Sequence, residues 1–279
     1  ELPITEGITE IPNGAFASCT ALTGIVVPNS VTSIGNKAFN GCTSLTSVTL
    51  PVSIEKLGSS NSAAFSNKAT FILVGSGAVD AHPSDNTAWA TGIWSINKAA
   101  IEKIIVSEGI TSIGTNAFRG LGTLKYVELP STVTHIGDYA FYNDTALIAV
   151  DMSKISSVSF DQNDVVQQEQ SNCSIYVSSQ DIATGISSKC TDRTKNNLFL
   201  GVVNGGTFPA DMTFESGKLA TPVKDGYIFD GWYADSSFSG TAVNAPTAGQ
   251  TYYAKWSEII AEVDGTGCTS LAAAVAMAN

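Results

Sequence analysis

The chain has 279 residues, with 14 Lys and Arg against 25 Asp and Glu, and a formal charge of −11 at a pI near 4.5. That balance argues against nucleic acid, whose phosphates require clustered Lys and Arg, and against docking on anionic lipid. Because 43% of residues are hydrophobic and only 14% charged, the chain can fill a core rather than stay disordered.

Low charge with abundant Ser, Thr, Asn and Gly suits a secreted protein. There is no signal peptide and no run of roughly 18 apolar residues. The chain starts at Glu1 as if already processed and stops at Asn279 without a terminating signal, so it reads as a portion of something longer.

The first element along the chain is a repeat. Ile11, Ile34 and Leu57 are 23 residues apart, and Ala15-Phe16 recurs as Ala38-Phe39, Cys19 as Cys42, Ile25 as Val48 and Val27-Pro28 as Leu50-Pro51. The frame returns at Ile113, Ala117-Phe118, Leu124 and Val127, which step by 23 to Ile136, Ala140-Phe141, Leu147 and Val150. A fixed period of this size means stacked supersecondary units. Within each unit, Leu-x-x-Val-x-Leu predicts a short strand: Val48 and Leu50 face one way, Ser47 and Thr49 the other, and Pro51 ends it. Ile34-Gly35 predicts a turn, and Ala38-Phe39-x-x-Cys42-x-x-Leu45, apolar at every third position, a turn of helix or 3₁₀ helix. One unit cannot bury its own Phe, so Phe16 is expected to stack on Phe39, and Phe118 on Phe141, with the strands adding into a parallel sheet.

The stretch Thr32-Ser33-Ile34-Gly35-Asn36-Lys37-Ala38-Phe39-Asn40-Gly41-Cys42-Thr43-Ser44-Leu45 closely resembles the BspA-like leucine-rich repeat of bacterial surface proteins. The resemblance implies a curved solenoid with its strands on the concave side, the usual binding face in that family.

After Leu57 the pattern breaks. A shifted Ala64-Phe65 follows, and Phe71 to Ala78 with Trp89 looks like the segment that often opens such arrays, ahead of a fresh start at Ile105 to Gly114. Either this insert caps a second array, or it bulges from one continuous solenoid; continuity of the sheet is the favoured expectation. Trp89 and Trp94 either mark a ligand groove or plug the core. Beyond Met152 the repeat decays, Asp161 to Asn172 reads as an exposed loop, and Ser174-Ile175-Tyr176-Val177 as a last strand.

From Leu198 the texture changes to short aromatic strands separated by Gly and Pro, the signature of a small β domain. Gly226-Tyr227-Ile228-Phe229-Asp230-Gly231-Trp232-Tyr233 followed by Tyr253-Ala254-Lys255-Trp256 resembles the Listeria–Bacteroides repeat, which implies a β-grasp-like spacer or adhesion-associated module. Its aromatics are expected to form a core rather than a sugar-stacking platform. The tail ends in helix formers that Thr269 or Ser270 would cap. The expected fold is therefore a β-rich α/β leucine-rich-repeat solenoid with a small C-terminal β-grasp-like domain. Its segments are a first repeat block over 1–66, a cap-like insert over 67–100, a second block with its flank over 101–195, the second module over 196–257 and a further segment from 258.

Chemistry is hard to find. Five cysteines form no Cys-x-x-Cys pair; Cys19 and Cys42 share a repeat position and read as stacked apolar residues, while Cys173 and Cys190 are close enough in sequence to bridge. His135 falls in an exposed slot of the repeat and His82 in the insert, neither with the setting of a nucleophile's base. Asp161-Gln162-Asn163-Asp164 lacks the later Gly and Glu of a calcium loop. No catalytic residue, metal site or cofactor is expected. The remaining candidate is the outward face of the strands, which in register presents Ser47, Lys103 and Tyr126 in one column and Thr49, Ile105, Glu128 and Asp151 in the next, with Ile105 and Tyr126 as apolar residues on a polar surface. The expected function is non-enzymatic: an extracellular or surface-attached bacterial protein that binds a protein or glycan of host matrix or of another microbe through that face. The alternatives are a structural stalk or a carbohydrate-binding accessory region of a larger secreted protein.

Overall fold

Alternation of apolar and polar residues builds one strand per repeat, and the strands pair side by side in a computed structural model that describes residues 2–59, 62–79, 97–162, 165, 173–190 and 198–278. In chain order the main strands are β1 (Leu2–Pro3), β2 (Gly24–Val26), β3 (Ser47–Pro51), β4 (Ala69–Val74), β5 (Ile101–Val106), β6 (Tyr126–Glu128), β7 (Ala149–Met152), β8 (Cys173–Val177), β9 (Leu198–Val202), β10 (Tyr227–Tyr233) and β11 (Thr251–Glu258). They form a single eleven-stranded sheet in which β1 to β9 follow chain order, β11 pairs parallel to β9, and β10 lies antiparallel to β11 at the edge.

The sheet crosses the insert without a break. Phe71 lies 23 residues after Val48 and sits beside it in register, so Ala69–Val74 is a full rung of the sheet and not part of a cap. The next step, Phe71 to Ile104, is 33 residues, which confines the insertion to ten extra residues after β4. What breaks instead is a narrow ladder on the next side of each turn. Ile34 ends a two-residue strand, Ser33–Ile34, rather than starting a simple turn, and the ladder runs as two separate four-stranded pieces that part between Ala63 and Gly77, the second of them pairing Val79 with Ile113 across the insertion. Asn97 closes the gap: fully buried, it accepts from the Phe65 amide (3.0 Å) and donates to the Leu57 carbonyl (2.8 Å). Trp89, Trp94 and His82 lie outside the described residues.

Between the sheet and the narrow ladder, each turn runs through successive bonds from residue i to i−3, such as Cys42 N to Phe39 O and Leu45 N to Cys42 O. These turns lay down the aromatic ladder. Phe16 stacks on Phe39 at 5.2 Å between ring centroids and Phe39 on Phe65 at 4.9 Å; past the insertion Phe118 stacks on Phe141 at 5.7 Å. Turns approach so closely that a Cβ on Gly137 would sit 2.5 Å from the Thr115 amide nitrogen, so the recurring Ile-Gly step has no room for a larger residue.

The C-terminal elements depart from a β-grasp. Residues 203–258 hold β10, β11 and one antiparallel bridge, Thr207 with Val223, and no helix. Helix α1 (Gln180–Lys189), capped by Ser179, packs beside β8 and β9, and helix α2 (Leu271–Ala278) starts at Ser270, whose hydroxyl accepts from the Ala273 amide (3.0 Å). No disulfide joins Cys173 to Cys190.

One buried group carries a cost. Asp144 lies 23 residues after Leu121 and takes a hydrogen bond from its amide (2.7 Å), but its second oxygen is buried without a partner among the described residues. Burial pushes its carboxyl well above the ordinary value of 3.8. An acid whose folded pKa is raised stabilises fully below the unfolded pKa and loses that stabilisation as pH rises through the folded one.

Two outcomes follow from this packing. Phe118→Ala removes a ring that is fully buried against Phe141, and we expect a loss of about 3–5 kcal/mol in a denaturant melt. Asp144→Asn keeps the acceptor for Leu121 without the ionisable proton, so its stability relative to the wild-type chain should rise as the pH climbs above the ordinary carboxylate value of about 4; a difference independent of pH would contradict the buried-acid assignment.

Candidate functional site

Every second residue of each main strand faces away from the solenoid core. In register these residues form two columns: Gly24, Ser47, Thr70, Lys103, Tyr126, Ala149, Ser174 and Phe199, and beside them Val26, Thr49, Ile72, Ile105, Glu128, Asp151, Tyr176 and Gly201. The 23-residue step from Ser47 and Thr49 leads directly to Thr70 and Ile72, which the sequence reading passed over because it assigned them to the insert.

Exposure along these columns falls steeply from the N-terminal end to the C-terminal end. Val26 is 42% exposed, whereas Tyr126 is 8% exposed, Asp151 1% and Tyr176 0%. The residues that cover the later turns belong to the same chain. Phe214 stacks on Tyr126 at 4.6 Å and Phe208 packs on Tyr176 at 4.5 Å. The Tyr176 hydroxyl accepts from the Ala220 amide (2.7 Å), Ser174 donates to the Lys218 carbonyl (3.1 Å), and Trp232 donates to the Ala220 carbonyl (3.0 Å). Gly201 must lack a side chain for this contact, since a Cβ there would lie 2.8 Å from the Tyr176 ring and 3.1 Å from Trp232. The result is a second core outside the solenoid, with the sheet between the two.

This arrangement corrects two of the expected site residues. Tyr126 and Asp151 are not solvent-facing: Tyr126 lies under Phe214, and its hydroxyl is 3.4 Å from Asp151 Oδ2. Burial raises the Asp151 carboxyl above its ordinary range, Ser153 holds it partly down, and burial next to Asp151 raises the Tyr126 phenol. Glu128 is mostly covered and paired with Lys154 at 2.6 Å. Ser47, Thr49, Lys103 and Ile105 remain partly exposed on the open stretch, together with Thr70 and Ile72.

Where the cover ends, a cleft of about 420 Å³ opens between β4–β6 and the loop Met212–Phe214. Its charged lining is Lys68, Lys103, Lys125 and Glu102, with Thr46, Thr70 and Thr213 as further polar side chains. Glu102 sits at a β-bulge, where the pairing of β5 with β4 slips by one residue. Its carboxylate meets Lys125 at 2.6 Å; that bond, with Lys68 nearby, keeps its pKa below the ordinary value. The Lys103 ammonium lies 4.7 Å above the Tyr126 ring and donates to the Ala210 carbonyl (3.0 Å).

Catalytic geometry is thin. His135 Nδ1 lies 3.1 Å from Ser159 Oγ and its Nε2 3.6 Å from Asp161. The Ser159 hydroxyl donates to the Thr134 carbonyl (3.1 Å), as Thr134 does to Thr111 one turn earlier. The Ser159 hydroxyl thus stitches turns, and the role of His135 Nδ1 toward that oxygen follows its tautomer. Asn163 and Asp164, half of the calcium-like stretch, lie outside the described residues. Among the described residues no group of three or more His, Cys, Asp or Glu could hold a metal ion, and no helix is long and apolar enough to cross a membrane.

Comparison with known proteins places the two parts of the chain separately. Residues 2–73 and 96–197 match the BspA type leucine rich repeat region in six copies, and residues 202–255 match the Listeria-Bacteroides repeat domain. No curated protein matches the chain. Among solved structures, a leucine rich cell surface protein of Faecalibacterium prausnitzii A2-165 is 23% identical over 60% of this chain and 35% of its own, with a TM-score of 0.29. A leucine rich repeat protein of T. pallidum is 18% identical over 68% of this chain and 76% of its own, with a TM-score of 0.26. The pneumococcal vaccine antigen PcpA is 17% identical over 67% of this chain and 70% of its own, with a TM-score of 0.24. The chain thus spans about a third of the length of the first of these.

Proposed function

The chain belongs to the BspA-type leucine-rich repeat family, and from that premise we propose that it is a non-enzymatic, extracellular bacterial protein that binds a macromolecular partner on the open stretch of its strand face. The observation that carries this reading is the division of that face. Over the later turns the sheet is closed by the chain's own second module, with Phe208, Phe214 and Trp232 as the seal. Over the earlier turns it presents exposed Val26 and partly exposed Ile72 and Ile105 in one column with Thr49, apolar side chains in a polar surround. A surface role also fits a match to the Listeria-Bacteroides repeat domain.

The continuity of eleven strands in one body favours a second reading, a stiff stalk that presents a domain to the outside. A panel of matrix proteins and glycans, probed by surface plasmon resonance, separates the two. The binding reading expects at least one partner, with affinity reduced about tenfold or more by Ile72→Ser with Ile105→Ser at an unchanged melting temperature, a loss of about 1.4 kcal/mol. A partner insensitive to the double substitution would move the site off this face, and a silent panel would favour the stalk.

A further inference from the structure

We propose that the cleft between β4–β6 and the Met212–Phe214 loop reads carboxylates, and that its occupant is an extended acidic peptide segment of a protein partner. This rests on the strand-face reading above and names the chemistry that the face selects.

The first argument is charge. The chain carries −11 overall, yet this cleft gathers Lys68, Lys103 and Lys125 against the single carboxylate of Glu102, a local balance of +2. The rest of the molecule then holds −13 (−11 − 2 = −13). Positive charge concentrated in a concavity of an otherwise acidic protein focuses the field there and steers anionic partners to it.

The second argument is placement. Lys68 precedes β4 and Lys125 precedes β6, so two strand spacings, about 10 Å, separate their backbones. On an extended peptide, side chains that share a face lie about 7 Å apart at i, i+2 and about 13 Å apart at i, i+4, which brackets that distance and places two same-face carboxylates within reach of the two long lysine side chains. Between them the bulge at Glu102 puts a carboxylate on Lys125 at 2.6 Å, where it keeps the ammonium oriented and stands in for the incoming acid. Lys103 is anchored by the Ala210 carbonyl, which uses one of the three N–H donors of an ammonium.

The third argument selects a peptide over a sugar. Sugar recognition wants an open aromatic face, and the Tyr126 ring is already engaged by Phe214 at 4.6 Å and by the Lys103 ammonium at 4.7 Å. The apolar part of the lining, Ala69, Ile148 and Met212, suits the side-chain stems and backbone of an extended chain instead.

The test is fluorescence anisotropy of the full chain with labelled octaglutamate, octaglutamine and an oligogalacturonate of equal charge. We expect octaglutamate to bind at low salt and to weaken as salt rises, and octaglutamine not to bind. Lys68→Gln and Lys125→Gln should each weaken binding by about three- to fivefold, Glu102→Gln should tighten it, and Lys56→Gln, an exposed lysine on the narrow ladder, should leave it unchanged. No binding of octaglutamate, equal binding of octaglutamine, equal loss in Lys56→Gln, or binding of the oligogalacturonate in place of the peptide would each overturn the proposal. A panel partner that loses affinity with Ile72→Ser and Ile105→Ser but not with Lys68→Gln or Lys125→Gln would overturn the carboxylate reading alone. A partner sensitive only to the lysines would keep the cleft and overturn the apolar strip.

Discussion

No turn of this chain can bury its own apolar residues, and everything else in the structure depends on that shortage. A 23-residue unit supplies one Phe and a few aliphatic side chains, and each becomes buried only when a neighbour is laid against it. Stacking supplies the neighbour, and it brings backbone amides and carbonyls of successive turns into register, as in Gly14 N to Asn36 O and Phe16 N to Ala38 O. Apolar burial and hydrogen bonding therefore point along the same axis. This is why the sheet carries on through ten inserted residues: the Phe71 rung still meets Val48 on one side and Ile104 on the other.

The same shortage recurs at the end of the solenoid. A last strand leaves an open edge and an uncovered face, and this chain closes both with one element. Strand β11 pairs parallel to β9 and continues the sheet, while the segment before β10 folds back over the strand face and places Phe208 and Phe214 on Tyr176 and Tyr126. The matched Listeria-Bacteroides repeat is thus the solenoid's continuation and its cover together, and the stretch that the cover leaves open is the one proposed to bind a partner. The cleft lies on that boundary, where lysines of the sheet meet the rim of the cover.

The repeat, the Phe ladder and the direction of each strand's residues were all legible in the sequence, because each is a local pattern with one physical solution; for the cap of α2 the sequence offered Thr269 or Ser270, and the structure selects Ser270. Two features were not read. Phe71 and Leu73 keep the 23-residue step from Val48 and Leu50, but Lys68 replaces the leading Leu, and the missing apolar residue hid the rung. The closure of the face was also partly written down: outward positions that hold Ser47 and Thr49 in an early turn hold Ala149 and Tyr176 later on and Phe199 and Gly201 in Leu198–Val202, as strands buried on both faces do, with Asp151 and Ser174 the polar exceptions. A strand-face Tyr with an acid beside it was read as an exposed anchor when it is the floor of a second core. The lysine cleft had no such signal, because Glu102 enters it through a slip in register and Met212 comes from far along the chain.

Hydroxyl-radical footprinting of the intact chain, read residue by residue by mass spectrometry, tests directly whether the second module lies over the strand face. Tyr126, Tyr176 and Tyr252 should oxidise far more slowly than Tyr227, which is 37% exposed. Oxidation of Tyr126 and Tyr176 at the rate of Tyr227 would show the face open along its whole length and would contradict the account.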